Sequence, residues 1–149
     1  MTLGVTERRQ FTRVLVDAGP LVAINRRDDQ HHKRCVETLQ QIAPPMLTSW
    51  LVIAEAAHLL RDSVSAVERL LSSPQLGILE ILPLTHDDLS ALVALVRKYQ
   101  SLGPQLADVS LVHLAGRESL QTVFTLDRRD FMIYRTATGK PLQLLPEST

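Results

Sequence analysis

Apolar residues in this chain fall into two patterns: short continuous runs, and longer stretches in which they recur every three or four positions. The first pattern predicts buried strands and the second amphipathic helices. Val14, Leu15 and Val16 form a run too continuously apolar for a half-exposed strand, which predicts a parallel strand covered on both faces. The run ends on Asp17. Gly19 and Pro20 then supply a turn and a favoured first helical residue, and Leu21 to Ile24 continue as a short buried helix. After a polar turn from Arg26 to His32, the spacing of Cys35, Val36, Leu39 and Ile42 predicts a helix over 33–42, ended by Pro44 and Pro45.

The alternation continues to the end of the chain. Met46 to Thr48 is a second strand, and Thr48 or Ser49 caps a helix whose Leu51, Val52, Ile53, Leu59 and Leu60 surround Glu55. Another helix over 63–71 closes at Pro74 and Gly77, and Ile78 to Leu84 predicts a third strand in which Pro83 suits an edge or an exit. Thr85 caps a helix over 86–100 with Leu89, Leu92, Val93 and Val96 on its apolar stripe. Gly103 and Pro104 separate it from a helix over 105–117 that carries Asp108 near its start. Thr122 to Leu126 is a fourth strand ending at Asp127, and Leu142 to Leu145 a short fifth. Because parallel strands need crossover connections, the order predicts an α/β fold with a mostly parallel four- or five-stranded sheet between helical layers.

With 149 residues, 45% of them hydrophobic, the chain suffices for one core and is short for two. The expected organisation is one domain over 13–149, preceded by a polar extension, 1–12, that lacks the apolar stretch of a signal peptide. Sixteen basic and sixteen acidic residues cancel, so a nucleic-acid contact would have to be a local patch. The one cysteine, Cys35, excludes an internal disulfide and a cysteine-based zinc site, and suits a reducing cytoplasm. No apolar stretch approaches the ~20 residues of a membrane-spanning helix, so no membrane partner is expected.

Four acids stand out by position: Asp17 after the first strand, Glu55 in the helix after the second, Asp108 near a helix start, and Asp127 after the fourth strand. In a doubly wound sheet, right-handed crossovers bring the carboxyl ends of the strands to one edge, where ligands bind. Glu55 and Asp108 lie in apolar or small surroundings where isolated charges would be costly, so a shared cation is the economical explanation. Oxygen-only ligands favour Mg²⁺ or Mn²⁺. An aspartate at a strand-to-helix turn also suits a helix cap, and Asp130, three residues after Asp127, suits a capping pair. Thr125 reads as a β-branched strand residue with a hydroxyl near the acids. His31 and His32 mark a surface turn, and His113 a packed position. Glu55 and His58 have E-x-x-H spacing, but a di-iron bundle needs two such pairs on four helices. Arg26, Arg27, Arg128 and Arg129 flank the acids in sequence and are candidate phosphate contacts. Six aromatic residues in all leave little surface for base stacking.

On VLVDAGPLVAI around Asp17, Glu55 in LVIAEAAHLL, Asp108 in LADVSLVHLA and Asp127 in VFTLDRRDF, the chain resembles the PIN-domain ribonucleases, and among them the VapC-type toxins. The similarity runs from Arg13 to about Leu145. It implies a metal-dependent endoribonuclease, with Asp17, Glu55, Asp108 and Asp127 around one or two Mg²⁺ or Mn²⁺ ions. Asp17 and Asp108 would be ligands, Glu55 a ligand or the group that orients water, and Asp127 the holder of a second ion or of a metal-bound water. The resemblance further implies an RNA substrate, a cognate antitoxin and a homodimer, for which helices 33–42 and 50–60 carry surplus apolar residues. Ala18 follows the first acid where many members carry Ser or Thr, which removes one hydroxyl from the site. The alternatives are a stand-alone nuclease of RNA maturation or turnover, and a catalytically silent module that binds RNA or protein.

Overall fold

The computed structural model describes residues 9–148; residues 1–8 of the expected extension lie outside the described residues. Five strands and seven α-helices alternate within them. They are β1 (Leu15–Val16), α1 (Ala18–Asn25), α2 (His32–Leu39), β2 (Met46–Thr48), α3 (Trp50–Leu59), α4 (Val64–Ser72), β3 (Leu79–Ile81), α5 (Leu89–Lys98), α6 (Leu106–Arg117), β4 (Thr122–Phe124), α7 (Arg128–Phe131) and β5 (Gln143–Leu145). The sheet order is β3-β2-β1-β4-β5 and every pairing is parallel, with Leu15 opposite both Leu47 and Val123. The chain therefore begins in the middle, moves outward to β3, and returns to lay β4 on the other side of β1. That reversal leaves a crevice at the carboxyl ends of β1 and β4. Val14, Leu15, Val16, Val123 and Phe124 are fully buried, as a central strand pair covered on both faces requires.

Local chemistry sets the boundaries. Helix α1 starts at Ala18 rather than after Pro20, because Asp17 caps it and Pro20 occupies a first-turn position whose missing N–H would have no intrahelical acceptor. Helix α2 stops at Leu39, and Ile42 instead bridges Phe11 in parallel fashion. Ser49, not Thr48, caps α3 by accepting the Val52 amide at 3.3 Å, while the Thr48 hydroxyl donates to the Val16 carbonyl at 2.9 Å. The helix expected over 86–100 divides into a tight 3-10 turn, His86–Asp88, and α5, with Thr85 and Asp88 forming a capping box. On α5 only Leu92 and Leu95 reach the core; Leu89, Val93 and Val96 face outward. Gly103 takes the left-handed conformation, φ +58°, that ends the segment before α6. No helix among the described residues is long and apolar enough to cross a membrane.

Candidate active site

The carboxyl ends of β1 and β4 are held together by the Asp17 amide, which donates to the Phe124 carbonyl at 2.9 Å. Both strands then lead into helices, and an acid caps each helix. Asp17 caps α1 and Asp127 caps α7, the latter accepting the Asp130 amide at 3.3 Å. Glu55 reaches the same place from the second turn of α3, and Asp108 from the first turn of α6, where the helix dipole favours negative charge. These four acids and Asp130 line one open cleft of roughly 440 Å³, together with Gly19, Gly103, Pro104, Gln105 and Leu126. At Gly19 an added Cβ would stand 3.5 Å from the Leu126 side chain, ordinary contact, so the wall of the cleft is close-packed there.

Asp17 is the most enclosed of the five, 6% exposed. Its Oδ1 accepts the Ala18 amide and its Oδ2 accepts the Thr125 hydroxyl, both at 2.8 Å. Thr125 is fully buried and also accepts the Asp127 amide at 3.0 Å, so one hydroxyl ties two of the acids. Burial pushes the Asp17 carboxyl up, the two donors hold it down, and Asp127 pushes it up again. Asp108 is pushed up to about 8, first by burial and then by repulsion from Asp17, Asp127, Glu55 and Asp130. Glu55 is raised by burial and by Asp17. No lysine or arginine lines the cleft to offset this charge.

The structure thus brings Asp17, Glu55, Asp108 and Asp127 together. Asp130 combines its amide's place in the α7 cap with a side chain on the cleft wall. Thr125, read from sequence chiefly as a strand residue, is the hydroxyl neighbour of Asp17; its signal was its place two residues before an acid at a strand end. The four arginines do not line the cleft. Arg26 forks onto Asp62, at 2.6 and 3.2 Å, and the Leu59 carbonyl; Arg128 donates to the Pro146 carbonyl and the Ser148 hydroxyl. Arg27 and Arg129 are exposed. His58 lies on the solvent side of α3 against Arg61, apart from Glu55, and His113 pairs with Asp88 at 2.7 Å. His32 Nδ1 bonds the Ala23 carbonyl at 2.7 Å.

The donor set fits a hard divalent cation. It is all oxygen, it carries more negative charge than its surroundings offset, and the raised carboxyls are those a cation would relieve. Among the described residues, no three His, Cys, Asp or Glu side chains are already closed to ligating distance, so the ion itself would have to draw the carboxylates in.

Comparison with known proteins agrees with this geometry. Residues 14–138 match the family model described as PIN domain. Over 135 residues the chain is 27% identical to Ribonuclease VapC26 of Mycobacterium tuberculosis, covering 89% of this chain and 100% of that protein. It also resembles the crystal structure of VapC20 of Mycobacterium tuberculosis, described as a toxin that cleaves the sarcin–ricin loop. The TM-score is 0.70 at 14% identity, over 80% of this chain and 91% of that one. The match spans nearly all the strands and every acid of the cleft, and the chain belongs to the PIN-domain family.

Proposed function

We propose that this protein is a divalent-metal-dependent endoribonuclease, and the toxin of a toxin–antitoxin pair. The observation that carries the reading is the convergence of Asp17, Glu55, Asp108 and Asp127 on one cleft at the sheet's switch point, with no cation beside them. Its similarity to a protein named ribonuclease supports the substrate class. Asp17, Asp108 and Asp127 would hold Mg²⁺ or Mn²⁺, with Glu55 as ligand or proton acceptor. When bound, such an ion stabilises charge on the phosphate and makes water acidic enough to attack it. Thr125 keeps its proton on Asp17 Oδ2, leaving each Asp17 oxygen a free lone pair directed away from its hydrogen bond. Glu55, half-buried at the rim, is placed to take a proton from an attacking water. The domain itself is taken as 13–149.

The same charge imbalance suits inhibition by an antitoxin that inserts an arginine, whose planar fork pairs two carboxylate oxygens at once. A homodimer is proposed as well, on a face other than the helix over 33–42. Of the apolar residues of α2, Cys35 is buried and Val36 and Leu39 are half-buried, whereas Trp50, Leu89, Val93, Val96 and Leu106 are 39–62% exposed. The primary test is cleavage of a defined RNA by the purified protein. EDTA should stop it, Mn²⁺ should restore it, and undiminished activity of both Asp17→Asn and Asp108→Asn would refute the site.

A further inference from the structure

Two buried hydroxyls join the helix of Glu55 to the helix of Asp108. Ser49 Oγ and Ser110 Oγ lie 2.8 Å apart, and both residues are fully buried. What flanks the pair fixes its direction. The Ala107 carbonyl, 2.6 Å from Ser110 Oγ, only accepts, so the Ser110 proton points there. The Val52 amide, 3.3 Å from Ser49 Oγ, only donates. Ser49 must therefore donate to Ser110. The chain runs from Val52 N–H through Ser49 and Ser110 to the Ala107 carbonyl, with every proton used.

This chain spans the two elements that supply the least anchored acids. Ser49 is the N-cap of α3, and Ser110 lies two residues beyond Asp108 in α6. Glu55 and Asp108 line the same cleft, and among the described residues no hydrogen bond joins their side chains to each other. Asp17 and Asp127 share the Thr125 hydroxyl, whereas a side-chain link between α3 and α6 is the serine pair.

We propose that Ser49 and Ser110 are positioning residues that fix the separation of Glu55 and Asp108 and so tune the cleft to a small octahedral cation. The inference rests on the metal-site reading above. Mg²⁺ demands near-ideal octahedral geometry at about 2.0–2.1 Å, whereas Ca²⁺ accepts six to eight oxygens at about 2.3–2.6 Å in flexible arrangements. Slack of a few tenths of an ångström between α3 and α6 therefore weakens Mg²⁺ more than Ca²⁺. A general loss of stability weakens both alike.

The test is calorimetric titration of the whole protein with Mg²⁺ and with Ca²⁺, beside thermal unfolding of the metal-free form. In Ser110→Ala the Mg²⁺ affinity should fall roughly tenfold, a loss of the size seen when groups that orient metal ligands are removed, while the Ca²⁺ affinity falls less than about twofold. Ser49→Thr keeps both hydroxyl and cap and should hold the wild-type ratio. Should Ser110→Ala unfold, Ser49→Gly, which keeps a tolerated N-cap without a hydroxyl, carries the same comparison. An unchanged Mg²⁺ to Ca²⁺ ratio, with binding still abolished by Asp108→Asn, overturns the positioning role and leaves the metal site standing. Wild-type protein that binds no Mg²⁺ overturns both.

Discussion

Two carboxylates on opposite sides of α6 have opposite surroundings. Asp88, 7% exposed, meets the His113 ring at 2.7 Å, the Arg117 guanidinium at 3.1 Å and the Thr85 amide at 2.8 Å. Those partners, His113 first, hold its carboxyl well below the usual range. Asp108 has no such partner, and burial together with four neighbouring acids pushes it up to about 8. The protein thus holds one carboxylate already supplied with a cation, Arg117, and one still lacking one. The first ties the turn before α5 to α6; the second is a place where a ligand must complete the structure.

The contrast breaks most sharply under substitution. Asp108→Asn should reduce RNA cleavage by roughly 100-fold or more, the scale of losing a metal ligand, while thermal unfolding shows the metal-free fold unchanged or more stable because repulsion is relieved. Cleavage kinetics and calorimetry on the same preparation check both halves. Next in size is the pH dependence of metal binding. Below about 8 a proton on Asp108 competes with the ion, so apparent Mg²⁺ affinity should climb up to about tenfold per pH unit and level off above that value.

Asp88→Asn should act on the other side of the comparison. Loss of a charge-assisted pair should lower Tm by about 5 °C, with activity per folded molecule preserved. The smallest effect is the shape of stability against pH in metal-free protein. Asp108 is raised in the folded state, so its contribution is intact below about pH 4 and is lost as pH rises toward 8. Asp88 is lowered, so its contribution is present above about pH 4 and is lost on further acidification. Unfolding scans across pH should show two limbs, the alkaline one removed in Asp108→Asn and the acid one in Asp88→Asn.

The strands and the acid quartet, though not the order of the strands in the sheet, were legible because they rest on local signals: continuous apolar runs, acids after two of them, and acids in apolar or small surroundings. Met46–Thr48 coincides with its run, and Asp17 is both the helix cap and a wall of the cleft, so the two readings of that residue were not alternatives. Contacts across the fold were illegible for the complementary reason. The partner of Thr125 lies 108 residues away, and that of Ser49 lies 61 away, distances over which periodicity says nothing. The arginines misled for the same cause: adjacency to an acid in sequence put Arg128 beside Asp127, but its guanidinium turns to the carbonyl of Pro146. On α5 the apolar stripe was wide enough to serve two faces, and only the packed structure separates Leu92 and Leu95 from Leu89, Val93 and Val96.

The order of strands also dictates when the cleft comes into being. Asp17 leaves the ribosome early, on the strand that will stand at the centre of the sheet, and β2 and β3 can add to one side of it as they are made. The other side stays bare until β4 arrives with Thr125 and Asp127. A chain still short of residue 122 therefore carries Asp17, Glu55 and Asp108 without the strand that closes the crevice, and a truncated product of synthesis lacks a finished cutting centre. The cleft is completed only when a late strand, β4, joins the one made first.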